Sequence, residues 1–331
     1  MSKLVSYLAE KHRVWAEPGF SGRQDVAVST LRPVIKNATT TWLHDSQNVR
    51  HRELTTWLGM APSPDDAQRT MRFVWLPLLL NGPTIDVARE LFEDVQYSFG
   101  HRVALQYCTT VPAGVGKFED PSRQVQLYFF SMHPKVIMIW SIEKDSGPLN
   151  VMCIAEAKKL QAMKTFLDQD FTWPVDGQRS HIPALICATL LFLEIEQKQE
   201  EIKQQVRQVE VRTGHHDWKT RSEGAALGDL TSLSAKMSGC STRCGSSLRK
   251  QHLLVEVLEF VKREASMLLA PVAAIHHHLA TGNMSDAFHV LVGRATALRT
   301  DNGFIQHRVD TQLNAVSLSF VWAKQYRMTR S

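Results

Sequence analysis

Between Asp229 and Leu269 the apolar positions recur alternately three and four residues apart without a break: Leu230, Leu233, Met237, Cys240, Cys244, Ser247, Gln251, Leu254, Leu258, Val261, Ala265 and Leu268. Only Ser247 and Gln251 are clearly polar. A mean step of 3.5 residues keeps one stripe facing a partner helix. The spacing therefore predicts one helix about 60 Å long at 1.5 Å per residue, ended by Pro271. Gly239 and Gly245 weaken its middle by about 1 kcal/mol each relative to Ala. A helix of that length needs another beside it.

The neighbour lies upstream. Pro183 suits the first turn of a helix that runs to Thr213-Gly214, where Gly is a common stop. Ala184 to Leu193 is almost wholly apolar and predicts burial. Glu194 to Arg212 is charged, with Ile195, Ile202 and Val209 seven apart and Leu191 and Val206 in support. Glu194 and Lys198 make a favourable i,i+4 pair. With His215 to Gly228 as a loop, the two helices form an antiparallel hairpin over residues 183–270.

Earlier in the chain the period changes. Met71 to Leu80, Val103 to Cys108, Val125 to Phe130, Lys135 to Ile142 and Leu149 to Ile154 read as strands. Short turns at His133-Pro134 and Asp145 to Pro148 join some of them, which implies an antiparallel or mixed sheet. Ser2 to Trp15, Thr40 to Trp57, Thr84 to Phe92 and Ala155 to Leu167 read as helices, and Pro62 to Asp66 as a boundary. Trp173-Pro174 begins a linker. Beyond Pro271, Val272 to Leu279 and a helix from Ser285 to Leu298 precede a turn at Asp301-Asn302-Gly303. A last helix, Phe304 to Tyr326, carries Ile305, Val309, Leu313, Val316 and Phe320 on one stripe that should pack on the hairpin. The fold class is α+β: a mixed-sheet domain with flanking helices over residues 1–180, then a long-helix region over 181–331 with the hairpin and a final helix at 304–326.

Composition narrows the function classes. A chain of 331 residues with 44% apolar and 21% charged content can build a substantial core. The net charge of +5 is modest, and the bases are interleaved with acids, so no nucleic-acid partner is expected. Five cysteines without regular spacing fit a reducing compartment. Met1 to Val14 lacks the apolar core of a signal peptide. The longest apolar runs, Phe73 to Leu80 and Ala184 to Leu193, fall short of the roughly 18 residues that span a bilayer, so a cytoplasmic location is expected.

The chemical motifs are weak. Ala113 to Lys117 (AGVGK) resembles the end of a phosphate loop, but the first Gly is missing and Phe118 stands where Ser or Thr should hold magnesium. It reads as a strand-connecting loop. His276-His277-His278 point in different directions on a helix, and His215-His216 with Asp217 share that weakness, so solvated histidines are the simpler reading. Cys240 and Cys244 share a helix face and suit half a metal site, but they fall on the apolar seam and read as buried thiols. Trp75, Trp140, Trp173, Trp218 and Trp322 are scattered and read as core. No catalytic triad elbow, paired-carboxylate motif or HExxH occurs, so no catalytic residue or cofactor-binding residue is assigned and an enzyme is not expected.

Three short blocks carry a resemblance. They are Val209 to Trp218 (VEVRTGHHDW), Asp229 to Ser234 (DLTSLS) and Gln306 to Asn314 (QHRVDTQLN). Their order, between a mixed domain and a final long helix, resembles CorA-type magnesium transporters, and in particular the divergent CorA-like proteins of filamentous fungi. The blocks cover roughly residues 190–320, and the first 180 residues match no motif. The resemblance implies a cytosolic domain that self-associates, with Mg2+ held between subunits and a membrane-proximal C-terminal end, towards which the basic Lys324, Arg327 and Arg330 would point. The metal ligands cannot be placed residue by residue, so the metal site is unknown. The family's two membrane helices and its Gly-Met-Asn signature are missing before Ser331, and Gly282-Asn283-Met284 has the wrong order and place. A pore formed by this chain alone is therefore not expected. The alternative is a soluble coiled-coil scaffold. Its hairpin would bind partner helices because the Leu230 to Leu268 seam offers more apolar length than its upstream helix covers.

Overall fold

The computed structural model describes residues 18–36, 39–60, 70–79, 84–111, 113–120, 124–132, 135–143, 147–169, 179–213, 227–269 and 282–328. The chain divides into two compact units, Met1–Leu190 with Glu256–Phe288, and Leu191–Val255 with His289–Ser331.

The first unit is built on strands β1 (Gly19–Phe20), β2 (Asp25–Lys36), β3 (Thr39–Arg50), β4 (Met71–Leu78), β5 (Thr84–Ile85), β6 (Ala113–Asp120), β7 (Val125–Met132), β8 (Val136–Glu143) and β9 (Leu149–Glu156). The long strands lie in the order β3-β2-β4-β9-β8-β7-β6, with the short β1 and β5 beside the far end of β4. β4 and β9 are parallel, and the other long neighbours antiparallel, so the sheet is mixed. β4 and β8 read as continuous apolar runs because both faces are covered. On one face α1 (His51–Gly59), α2 (Arg89–Phe99) and α3 (Arg102–Cys108) bring Leu54, Leu91, Val95, Ala104 and Cys108 onto Val74, Leu76, Ile137, Ile139, Met152 and Ile154. Strand alternation sends Phe73, Trp75 and Trp140 to the other face, where α4 (Ala157–Leu167) packs on β4 and β9. Trp140 stacks on Tyr128 at 5.5 Å and donates from Nε1 to the Ser180 carbonyl at 2.8 Å.

Several expectations hold: the strands at 71–78, 125–132, 136–143 and 149–156, and the helix at 157–167. Others are corrected. Thr40 to Arg50 is not helical: it pairs along β2 from Asp25↔Arg50 to Lys36↔Thr39, and helix α1 begins only at His51. Val103 to Cys108 is not a strand. Its buried residues, Ala104 and Cys108, are four apart, which is a helical face that a short apolar run disguises. Thr84 caps no helix; it starts β5, and α2 begins at Arg89. Ala113 to Lys117 is the edge strand β6 and not a loop. Ser2 to Trp15, Pro62 to Asp66, Trp173-Pro174 and Val272 to Leu279 lie outside the described residues.

The second unit is a three-helix bundle. α5 (Ile182–Thr213) and α6 (Leu227–Leu269) contribute to both units, and α7 (Gly282–Met328) completes the bundle. α5 and α6 run in opposite senses, since Glu194 meets Lys250, Gln208 meets Lys236 and Arg212 meets Asp229. α7 runs parallel to α5, with contacts at a constant separation of 98 or 99 residues. Ile202, Val206 and Val209 meet Leu230, Leu233, Met237, Cys240 and Cys244, closed by Ile305, Val309, Val316 and the half-buried Leu313. The seam and the final stripe thus pack as their spacing predicts, with α7 as the cover that the alternative reading found missing. Of Ala265, Leu268 and Phe320 no side-chain placement is described. The turn expected at Asp301-Asn302-Gly303 is absent, because α7 runs straight through it. Lys203 binds Asp301 at 2.8 Å and Asn302 is 5% exposed, so packing overrides the local preference. No described helix is long and apolar enough to cross a membrane.

Candidate functional site

The three sequence blocks are separated by up to about a hundred residues in the chain, yet they converge at one level of the bundle. Val209 is fully buried, and its neighbour Glu210 turns along α5 to meet Arg308 of α7. Arg308 donates from Nε and Nη2 to the two carboxylate oxygens of Glu210 at 2.9 and 2.6 Å. The two side chains are 21% and 11% exposed, so this is a bidentate pair largely shielded from water. Phe304 places its ring centroid 5.6 Å from the same guanidinium. One turn on, Thr213 Oγ1 lies 2.8 Å from Gln312 Oε1, 3.0 Å from the Val209 carbonyl and 3.3 Å from the Glu210 carbonyl, so its single proton is shared among three acceptors. Arg212 and Asp229 join α5 to α6 at 2.8 Å in a half-exposed pair that solvent screens. The block residues therefore fix the register of three helices, and Glu210 is committed to Arg308.

Below this clamp runs a buried polar layer. Gln199 of α5 and Gln251 of α6 both donate to the Leu298 carbonyl of α7, at 2.8 and 3.0 Å. One turn along each helix stand Ser247 and Asn302. Ser247 Oγ, Gln251 Oε1 and Asn302 Oδ1 are buried with no hydrogen-bond partner among the described residues.

The sheet unit has its own buried ionisable cluster. Lys117 of β6 donates to Glu264 of α6 at 2.7 Å, and Glu264 is 7% exposed. His181 lies in their electrostatic field with neither ring nitrogen hydrogen-bonded among the described residues, and burial holds its pKa down to about 4. Burial, reinforced by Glu264, pushes Tyr128 up to about 12. At the α2–α3 junction, His101 is fully buried against Ser141 at 3.1 Å, and desolvation lowers it to about 3.

The residues weighed from sequence fall into place as follows. Lys117 holds Glu264 rather than a phosphate, and Gly116 is needed because a Cβ there would stand 2.7 Å from the Phe129 ring across the β6–β7 pair. Cys240 and Cys244 are buried in the bundle core, and burial pushes Cys244 up to about 11. Trp75 and Trp140 are core residues, while Trp322 lies in α7. His215, His216, Asp217, Trp173, Trp218 and His276 to His278 lie outside the described residues. Among the described residues no group of three His, Cys, Asp or Glu could hold a metal ion. The Glu210–Arg308 clamp was not singled out from sequence, although both residues lie within the quoted blocks. The Glu264 and His181 cluster left no spacing signal, because its members come from distant elements.

No protein-family model and no curated protein matches the sequence. Among solved structures, the chain is similar to the full-length CmaX protein at 11% identity, over 93% of this chain and 82% of that one, with a TM-score of 0.50. The cytoplasmic domain of ZntB from Vibrio parahaemolyticus RIMD 2210633 aligns over 92% of this chain and 99% of that one, at 8% identity and a TM-score of 0.47. At such identities the likeness to CmaX establishes a related fold and nothing about chemistry, and the ZntB alignment is too distant to carry an argument.

Proposed function

We propose that this chain is the cytosolic part of a CorA-like divalent metal ion transporter, nearest in its sequence blocks to the divergent fungal members, with magnesium as cargo. The observation that carries the reading is the convergence of the three blocks: Glu210, Thr213, Asp229, Arg308 and Gln312 join α5, α6 and α7 at one end of one bundle. The hairpin alone brings the first two blocks together, and the third joins them through the parallel packing of α7 on α5. The related fold of CmaX supports the architecture. In this reading the chain has no enzymatic activity of its own, and copies associate around the long helices with Mg2+ between them.

The test is size-exclusion chromatography with light scattering, run with Mg2+ at millimolar concentration and with a chelator. An oligomer that forms only with Mg2+ is expected, and a strict monomer under both conditions would overturn the reading. A second reading, a soluble scaffold, is favoured by one observation. Val290, Phe304 and Leu318 of α7 are 57%, 59% and 61% exposed and fall two heptads apart on one face, with Val321 a turn further at 55%. An exposed apolar stripe of this kind favours association. A dimer indifferent to Mg2+ would select the scaffold.

A further inference from the structure

We propose that Met138, Cys153, Met163 and Cys187 form a binding site for one soft monovalent metal ion, copper(I). The four sulfurs come from four elements of the sheet unit: Met138 from β8, Cys153 from β9, Met163 from α4 and Cys187 from the start of α5. Met138 and Cys153 stand opposite each other in the β8–β9 ladder, and so share a face of the sheet. Cys153 Sγ lies 3.2 Å from Met163 Sδ, and Cys187 Sγ 3.7 Å from Met138 Sδ. Each side chain is at most 1% exposed, and Cys187 lies within the electrostatic field of Cys153.

A tetrahedral ion with metal–sulfur bonds of about 2.3 Å holds its ligands about 3.8 Å apart. The Cys187–Met138 spacing is already there, and the Cys153–Met163 pair needs to open by roughly half an ångström. Two thiols and two thioethers are a wholly soft donor set, which excludes magnesium, and the thioethers, absent from zinc's usual ligands, favour copper(I) over zinc. Each coordinating thiol gives its proton to solvent. Burial holds both thiols well above their ordinary range, so the ion must supply the driving force for that loss. Two thiolates around one monovalent cation leave a single negative charge. Lys164, beside Trp75 at 5.7 Å and within the field of Cys153, supplies the balancing cation. The site is independent of the cargo reading, and neither result decides the other.

The test uses the full chain carrying Cys240→Ala and Cys244→Ala, so that the bundle thiols do not count. Copper(I) is offered without oxygen, buffered by a chromogenic chelator, both to the folded chain and during refolding. One equivalent of copper(I) is expected, with a near-ultraviolet thiolate-to-copper band. The volume-conserving double change Met138→Leu and Met163→Leu, whose circular dichroism should match the parent, is expected to weaken binding by about tenfold or more. Cys153→Ala should abolish the band. Failure to retain copper(I) in both arms overturns the site, as does unchanged binding in the Met→Leu pair.

Discussion

The sheet unit and the bundle differ in where their buried polar groups sit. In the sheet unit, buried side-chain donors find backbone carbonyls: Trp140 on Ser180, Arg179 on Gly147 at 2.8 Å, and Arg72 on Trp57, whose ring also lies 4.3 Å from the guanidinium. Its core is otherwise rigid and aromatic, with Phe73 stacked on Trp75 at 5.2 Å. In the bundle, polar side chains run through the seam itself: Gln199, Ser247, Gln251, Asn302 and the Glu210–Arg308 pair. The difference follows from geometry. Strand ladders lock register residue by residue, because a one-residue slip turns every side chain to the wrong face. Helices with a 3.5-residue seam can slide by a heptad at little apolar cost, so polar pairs are needed to specify register. The sheet unit is therefore held by shape and the bundle by matched polar contacts.

The largest expected effect tests the first half of that contrast. Trp140→Ala removes a fully buried ring, its stack on Tyr128 and its bond to Ser180, and should destabilise the sheet unit by about 3–5 kcal/mol. Ile305→Ala in the bundle, 1% exposed but flanked by adaptable side chains, should cost about 2–3 kcal/mol. Urea unfolding followed by hydrogen exchange and mass spectrometry assigns each loss to its unit. A larger loss for Ile305→Ala would reverse the comparison.

Acid should separate the units next. His101 and His181 both belong to the sheet unit and are held neutral by burial, at about 3 and about 4. Unfolded, each takes a proton near pH 6.5. The unfolded state therefore binds more protons below that point, and stability falls as pH drops from 6.5 towards 4 for His181 and towards 3 for His101. At pH 5 the loss is about 2 kcal/mol for each histidine. Urea midpoints at pH 7 and pH 5 give the total, and His181→Phe should remove its share of the difference. An unchanged pH dependence in that variant would show that His181 is not held neutral.

How much of this was legible in the sequence follows the same divide. The seam from Leu230 to Leu258 and the stripe through Ile305, Val309 and Val316 could be read directly, because helical periodicity is a local property of the chain. So could β4, β7, β8 and β9, whose mostly apolar runs report burial on both faces. The β2–β3 hairpin was missed because edge strands alternate weakly: Asp45, Ser46, Gln47 and Asn48 are all exposed, and only pairing to Ala27 through Thr30 makes them a strand. The Asp301 to Gly303 turn was a fair reading of local preference, overturned by Lys203 and by the packing of Leu298 and Ile305 on either side. The candidate site was half visible. Its blocks could be quoted, but that Glu210 pairs with Arg308 depends on a parallel register of α5 and α7 that no local signal encodes.

The polar layer gives the third test. Asn302 keeps an amide oxygen inside the bundle with no hydrogen-bond partner among the described residues, so Asn302→Leu removes an orphan acceptor and adds a better helix former. The variant should be more stable by about 1–2 kcal/mol in urea unfolding. If the layer specifies register, the same change should also loosen it, broadening the hydrogen-exchange envelopes of α7 peptides. Greater stability with sharp envelopes would mean that the Glu210–Arg308 clamp alone sets the register.

The smallest effect concerns Gly303. It lies inside α7 next to Asn302, and a Cβ built there meets no atom within 4 Å. Nothing in the described packing requires glycine at this position. In a helix interior glycine costs about 0.5–1 kcal/mol relative to alanine, through the freedom it retains when unfolded. Gly303→Ala should therefore stabilise the bundle by about 0.5–1 kcal/mol and leave the sheet unit unchanged. The gain would appear as slower exchange of the amides from Asp301 to Ile305, the stretch that local preference reads as a turn. A loss of stability would mean that α7 must bend at Asp301 to Gly303, and that the straight helix is one of two states the bundle adopts.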